Sequence, residues 1–180
     1  MNQMGVIWIT GLSGSGKTTL ATEVVRLLRG QGKTVLMLDG DRLRNILQSS
    51  EATEKNHGRE ARIRHAFQYS ALCRLISNQR IIVVIATISL FHEVHEWNKE
   101  HLRGYFEVYL RVPLDELERR DSKKIYSQFA SGKLTNVPGL DLEIDEPVNP
   151  DKVIEFDYTH SINRTAMELI DEISRKTNST

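Results

Sequence analysis

Apolar residues fall in short blocks separated by longer amphipathic stretches. Val6-Ile7-Trp8-Ile9 is one such block and reads as a buried strand. Beyond a Gly- and Ser-rich segment, Leu20, Val24, Leu27 and Leu28 follow helical spacing. They predict a helix from about Lys17 to about Arg29, stopped by Gly30-Gln31-Gly32. Thr34 to Leu38 reads as a second strand ending at Asp39-Gly40-Asp41, and Arg42 to Leu47 as a short helix. Gln48 to Gly58 is polar and reads as a loop. A longer helix is predicted from about Arg59 to Asn78, with Ile63, Phe67, Ala71 and Leu75 as its apolar stripe. Ile81 to Ala86 is apolar on both faces, as a central parallel strand would be. A helix from near Phe91 to Leu102 and a strand from Tyr105 to Arg111 follow. Pro113 suits the first position of the next helix, with Asp115, Glu116 and Glu118 in early turns where the helix dipole favours acids.

The rhythm breaks from Lys123 to Pro150, a charged stretch holding Gly132, Pro138, Gly139, Pro147 and Pro150. A long irregular segment in a compact domain reads as a lid or a disordered loop. Val153 to Phe156 is a last short strand. Ile162, Ala166, Leu169, Ile170 and Ile173 mark a last helix, and a frayed tail is expected from Lys176 to Thr180. Strands alternating with helices imply an α/β domain with a parallel sheet and right-handed crossovers. A chain of 180 residues suits one domain, spanning 1–176.

Composition narrows the setting. The apolar run Ile81 to Ala86 is far too short to span a membrane, and the first strand leaves no room for a signal peptide. One cysteine, Cys73, excludes an internal disulfide framework and suits a reducing cytoplasm; it reads as a core position. Lys+Arg and Asp+Glu both number 24, which argues against a general nucleic-acid or membrane-surface binder. Anion binding must therefore come from local clusters of cations.

The Gly-rich segment Gly11-Leu12-Ser13-Gly14-Ser15-Gly16-Lys17-Thr18 fits the phosphate-cradle pattern G-x-x-x-x-G-K-S/T. Its place between a strand and a helix is what the pattern requires, because the helix N-terminus favours phosphate. Lys17 would reach the β- and γ-phosphates, and the Thr18 hydroxyl would ligate Mg²⁺. Asp39 and Asp41, two apart at a strand end, can serve a metal shell or take a proton from an attacking hydroxyl; Asp41 can equally cap the next helix. Arg42, Arg44, Arg59, Arg62, Arg64 and Arg74 crowd one region and suggest an anionic second substrate. Ser89 and Phe91 follow the third strand, where substrates bind, although a capping Ser and a core Phe explain them as well. Arg119, Arg120, Lys123 and Lys124 put cations on the lid. His92-x-x-His95 lacks further ligands and reads as a solvated helix face; Trp8 and Trp97 read as structural.

In sum these residues resemble the adenylyl-sulfate (APS) kinases over Val6 to Phe156. The resemblance rests on the phosphate loop, Leu38-Asp39-Gly40-Asp41-x-x-Arg44, Arg59, Ile63-Arg64, Ile88-Ser89-x-Phe91 and Arg120-Asp121-x-Lys123-x-x-Tyr126. Asn136, Gly139, Asp141 and Pro147 extend it. It implies a P-loop kinase three-layer sandwich with a central parallel sheet of about five strands and a lid over about 123–150. It also implies transfer from Mg²⁺-ATP to the ribose 3′-hydroxyl of an anionic nucleotide. Gly11, Ser13, Gly14, Ser15, Gly16, Lys17, Thr18, Thr19 and Arg120 would hold ATP, and Thr18 and Asp39 the metal. Lys17, Asp39, Asp41, Ser89 and Lys123 would be the catalytic set, Ser89 matching a serine proposed in the family as a phosphorylated intermediate. Asp41, Arg44, Arg59, Arg62, Arg64, Ile88, Ser89, Phe91 and Lys123 would meet the acceptor. A homodimer like the family's is compatible with the resemblance, though no residue pattern requires one.

The chain departs from that family mainly on the acceptor side. Asn-Ile-Arg-Arg becomes Arg62-Ile63-Arg64-His65, Ser-Pro becomes Ser89-Leu90, and Lys-Gly-Leu-Tyr becomes Lys123-Lys124-Ile125-Tyr126. Asn-Phe-Thr-Gly-Ile-Asp becomes Asn136-Val137-Pro138-Gly139-Leu140-Asp141, which removes an aromatic ring able to stack on a base. Two further readings stay open: a capsule-pathway kinase of cytidine diphosphoramidate, and a nucleotide-binding regulatory module without acceptor chemistry.

Overall fold

Five apolar blocks become five parallel strands in the computed structural model, which describes residues 4–47, 58–121, 123–157, 159 and 161–178. In chain order the elements are β1 (Val6–Thr10), α1 (Lys17–Gly30), β2 (Val35–Asp39), α2 (Gly40–Leu47), α3 (Arg59–Ser77) and β3 (Ile82–Ala86). There follow α4 (His92–His101), β4 (Tyr105–Arg111), α5 (Leu114–Arg120), α6 (Ile125–Ala130), β5 (Lys152–Glu155) and α7 (Ile162–Asn178). The strands lie in the order β2-β3-β1-β4-β5, so the sheet agrees with the expected α/β architecture.

Residues alternate along each strand and so build two cores. Ile7, Ile9, Val84, Val108 and Leu110 face Leu20, Val24, Leu28, Leu169 and Ile173 of α1 and α7. Val6, Trp8, Val83 and Ile85 face Ala66, Tyr69 and Cys73 of α3, Val94 of α4 and Leu43 of α2. Helices on both faces leave β1 and β3 buried along their whole length.

Sequence and structure differ where spacing misleads. The expected α3 stripe is half right: Ile63 and Phe67 are half-buried against the second core, but Ala71 is exposed and Leu75 is 63% exposed. A strict four-residue step drifts about 40° per repeat around a helix. The buried face is Ala66, Tyr69, Ser70 and Cys73, which mixes steps of three and four. α2 begins at Gly40, two residues before its expected start, and Pro113 lies just outside α5 at its N-cap. β5 starts one residue early, at Lys152, and leaves Phe156 beyond its end. α7 continues through Asn178, past the expected onset of fraying. The loop expected over Gln48 to Gly58 lies, apart from Gly58, outside the described residues.

Register gathers the strand ends. Asp39 of β2 pairs with Ala86 of β3, which pairs with Ile9 of β1; Thr10 pairs with Tyr109 of β4. The segments after β1, β2 and β3 therefore emerge side by side. Gly40 permits this crowding: a Cβ there would lie 2.8 Å from Thr87 Oγ1 and 3.0 Å from its Cβ. Gly40→Ala should cost about 1–3 kcal/mol of stability, because β2 and β3 must part to admit the methyl. Urea unfolding followed by circular dichroism measures this.

Candidate active site

The segment between β1 and α1 owes its shape to three glycines with positive φ: Gly11 (148°), Gly14 (79°) and Gly16 (95°). No side chain caps α1, whose N-cap is Gly16, so the N–H groups of the first turn are not taken by a capping side chain. That is the requirement for an anion cradle. The Lys17 ammonium bends back over the loop and donates to Leu12 O at 2.6 Å and Ser15 Oγ at 3.4 Å. Burial, then the neighbouring Lys123 charge, depress its pKa to about 7 against the partial support of Asp41 and Asp39. A triphosphate in the cradle would supply the missing negative charge.

The end of β2 lies against this loop. The Thr18 hydroxyl donates to Asp39 Oδ2 at 2.9 Å. A hydroxyl and a carboxylate oxygen form the hard donor set that suits Mg²⁺. The other oxygen, Asp39 Oδ1, accepts the N–H groups of Asp41 (3.1 Å) and Arg42 (3.2 Å). Asp39 is thus the residue that starts α2; the capping role open to Asp41 from sequence belongs to its neighbour. Asp41 instead points inward, accepting from Arg44 at 2.8 Å on Oδ1 and from Lys123 on Oδ2. Burial alone would raise the Asp41 pKa, but Lys123, Arg44 and Lys17 outweigh it and hold the carboxyl below its usual range.

Asp41 stands where two connected hollows meet. A small one of about 60 Å³ is bounded by Lys17, Asp39, Tyr69, Ser89 and Phe91. A larger one of about 850 Å³ is bounded by Lys123, Lys133, Asn136 and Val137. Ser13, Asp41, Arg44, Arg62, Ile88 and Pro138 line both. Arg62, whose guanidinium pKa is lowered by burial and by Arg44, donates to Asn136 O at 3.0 Å.

Not every expected acceptor residue reaches this space. Arg64 is exposed, 4.0 Å from Glu60, and lines neither hollow. Arg59 is a strut: it donates to Asp145 Oδ2 at 2.6 Å and stands 5.0 Å over the Phe91 ring. Ser89 lines the small hollow but is 6% exposed, and its hydroxyl is 2.8 Å from that of Thr87. The solvated face expected for His92 and His95 holds for His92 only; His95 is 3% exposed.

On the far side of the loop, a cleft of about 640 Å³ runs between α1, β5 and α7, lined by Ser15, Gly16, Thr19, Arg120 and Phe156. The Arg120 guanidinium lies 4.4 Å from the Phe156 ring centroid. It also donates to Glu116 Oε1 (2.6 Å) and Gly14 O (3.4 Å). A flat cation beside a ring offers a platform for a nucleobase. The sequence places Phe156 only at the end of a strand; its partner is 36 residues away, and no local pattern pairs them.

The segment after α5 is folded over the loop. The buried Tyr126 hydroxyl donates to Ser13 O at 2.8 Å, and Asp121 accepts the N–H groups of Tyr126 and Ser127 at the start of α6. Gly139, at φ 83°, rests on Leu12, where a Cβ would approach Leu12 Cδ2 to 2.9 Å. Beyond α6 the chain stays irregular, yet Val137 is only 3% exposed. The sequence places Tyr126 in the motif Arg120-Asp121-x-Lys123-x-x-Tyr126 without a contact for it, and does not single out Lys133, which lines the larger hollow.

The family model for adenylylsulphate kinase matches residues 3–155. The chain belongs to the adenylylsulphate kinase family. A probable adenylyl-sulfate kinase of Archaeoglobus fulgidus is 36% identical over 152 residues, covering 84% of this chain and 96% of its own. A cytidine diphosphoramidate kinase of Campylobacter jejuni is 35% identical over 146 residues, covering 81% and 83%. Among solved structures, the Mycobacterium tuberculosis APS kinase CysC in complex with AMPPNP and APS superposes with a TM-score of 0.85 at 30% identity, over 97% of this chain and 99% of that one. As a member of the adenylylsulphate kinase family the chain is a kinase, and the expected P-loop kinase fold holds. Among the described residues no helix is long and apolar enough to cross a membrane.

Lys17 gives this kinase a measurable proton linkage. Its folded pKa of about 7 lies below the ordinary 10.5, so the ligand-free protein gains stability as pH rises through that interval. A phosphate beside the ammonium would reverse the depression. AMPPNP binding at pH 8 should therefore take up about one proton, read by calorimetry in buffers of different ionisation enthalpy. Lys17→Met should abolish the uptake.

Proposed function

We propose that this kinase transfers the γ-phosphoryl group of ATP to the 3′-hydroxyl of an anionic nucleotide, with adenylyl sulfate as its acceptor. One observation carries the reading: Asp41 projects between the phosphate cradle and a cavity rimmed by Arg44, Arg62, Lys123 and Lys133. A hydroxyl accepted by that carboxylate would stand beside the γ-phosphate, while the cations hold the acceptor's anionic end.

In this reading the loop amides and Lys17 cradle the triphosphate, and the base lies in the Arg120–Phe156 cleft. Thr18 and Asp39 would hold Mg²⁺, which neutralises charge on the phosphates when bound. Asp41 orients the acceptor hydroxyl and accepts its proton late, since its cationic neighbours make it a weak base. Lys123 must leave Asp41 as the hydroxyl arrives, which frees its ammonium for the transferring group. Direct in-line transfer asks no covalent step of Ser89. ATP supply and the single buried thiol, Cys73, suit the cytoplasm.

A second acceptor, cytidine diphosphoramidate, is favoured by one feature. The larger cavity is walled by Ile88, Val137 and Pro138, and no aromatic ring lines it among the described residues. Such a wall gives a purine no stacking advantage over a smaller pyrimidine. Acceptor-dependent ADP release with adenylyl sulfate, cytidine diphosphoramidate and CMP separates the two. Adenylyl sulfate should give the highest kcat/KM, and no stimulation by any acceptor would overturn the kinase reading of this site.

Two substitutions should divide the halves. Arg62→Ala should raise the acceptor KM about tenfold or more, through the loss of a charge-assisted contact, and leave the ATP KM nearly unchanged. Phe156→Ala should do the reverse, raising the ATP KM roughly fivefold to tenfold.

A further inference from the structure

Behind the acceptor wall lies a buried ion-pairing cluster that the reaction above does not use. Glu107, fully buried in β4, faces the same side of the sheet as its β1 neighbour Trp8. A carboxylate in such a place is costly unless it is paired. Its Oε1 is hydrogen-bonded to His95 Nδ1 and accepts the Tyr105 hydroxyl at 3.2 Å; Lys99 Nζ stands 3.3 Å from Oε2. The Glu107 N–H donates to Asp151 at 2.7 Å, which fixes the backbone as well.

The imidazole continues the chain of contacts. His95 Nε2–H donates to Ser89 O at 2.8 Å. Both ring nitrogens thus face oxygens, so one proton lies between Nδ1 and Oε1, on whichever atom it resides. The residue at the far end is strained: Ser89 has φ 27°, a conformation that L side chains rarely adopt. Its carbonyl also accepts the Phe91 N–H at 3.1 Å, while Ile88 O accepts the Thr10 hydroxyl and Leu90 O the Asp145 N–H at 2.9 Å. Of these anchors, only the one on Ser89 is a buried side chain that is itself oriented by a second buried side chain.

We propose that His95, oriented by Glu107, is a positioning residue that holds Ser89 in its left-handed conformation and so fixes the acceptor wall from Thr87 to Phe91. The inference rests on the reading that this wall meets the acceptor. It carries force from the sheet through α4 to the cavity. It assigns His95 no contact with substrate, and its effect falls on the acceptor half of the reaction alone.

The test uses two variants and one spectroscopic signal. In Glu107→Gln the amide can donate to Nδ1, which preserves Nε2–H for Ser89, and kinetics should stay within about twofold of the parent. The double variant His95→Phe with Glu107→Leu removes the contact without leaving a bare buried charge. Its crystal structure should show Ser89 outside the positive-φ region. Its KM for adenylyl sulfate should rise about fivefold or more, with the ATP KM within about twofold. If Ser89 keeps its conformation in a folded double variant, or if both KM values move together, the positioning role is wrong. Should that variant fail to fold, ¹⁵N spectra of the parent decide. The His95 ring signals should shift on adding adenylyl sulfate and not on adding AMPPNP; no shift with adenylyl sulfate overturns the proposal. Failure of the parent to turn over any acceptor would instead fall on the reaction assigned above, because the crystallographic Ser89 readout needs no acceptor.

Discussion

Asp39 is the joint on which both halves of the site depend. One carboxylate oxygen takes the Thr18 hydroxyl, and the other takes the first N–H groups of α2. The first bond fixes α1 and its phosphate cradle against the end of β2. The second starts a helix there at once, without an intervening loop. Asp41 and Arg44 project into the cavity because α2 begins at Gly40, with Gly40 pressed against Thr87. A carboxylate used in this way serves geometry before it serves chemistry.

The charges around Asp41 form a second level of organisation. Arg44, Lys123, Lys17 and Arg62 surround a single carboxylate, in a chain whose net charge is zero. Like charges crowd there; among the described residues Asp41, Asp39 and Asp141 offset their mutual repulsion in part, and an incoming polyanion would offset more. Burial first, and then the Lys123 charge, lowers the Lys17 pKa, while Lys123, Arg44 and Lys17 hold the Asp41 pKa down against burial. Affinity for anions is thus prepared in the free protein, in side chains already close to one another.

How much of this could be read from the residues follows from distance along the chain. The cradle, Asp39, Asp41 and Arg44 lie on consecutive elements, and their spacing carries their chemistry. The strands were legible because short apolar blocks recur between stretches of helical spacing. The α3 face is only partly legible because a step of four drifts around the helix; Cys73 reads as a core position, but nothing in the sequence marks Tyr69 beside it. His95 was misjudged because its partner, Glu107, is a strand residue 12 positions on, and a lone charge in an apolar strand does not announce which helix covers it. Arg59 and Arg64 share a helix end with Arg62, but a helix turns about 100° per residue. Only one of the three therefore lines the cavity.

The irregular stretch after α6 has a broader consequence. Its backbone is hung from a few anchors: Asp141 accepts the N–H groups of Asn136 and Val137, and Arg62 takes the Asn136 carbonyl. Little of the two cores passes through it. The exposed side chains of Lys133 and Thr135 can therefore change in size and polarity while the sheet, the cradle and the donor cleft stay intact. One scaffold can then be re-specialised for a new partner molecule by drift along a few neighbouring positions, which gives the fold a cheap route to chemical diversity.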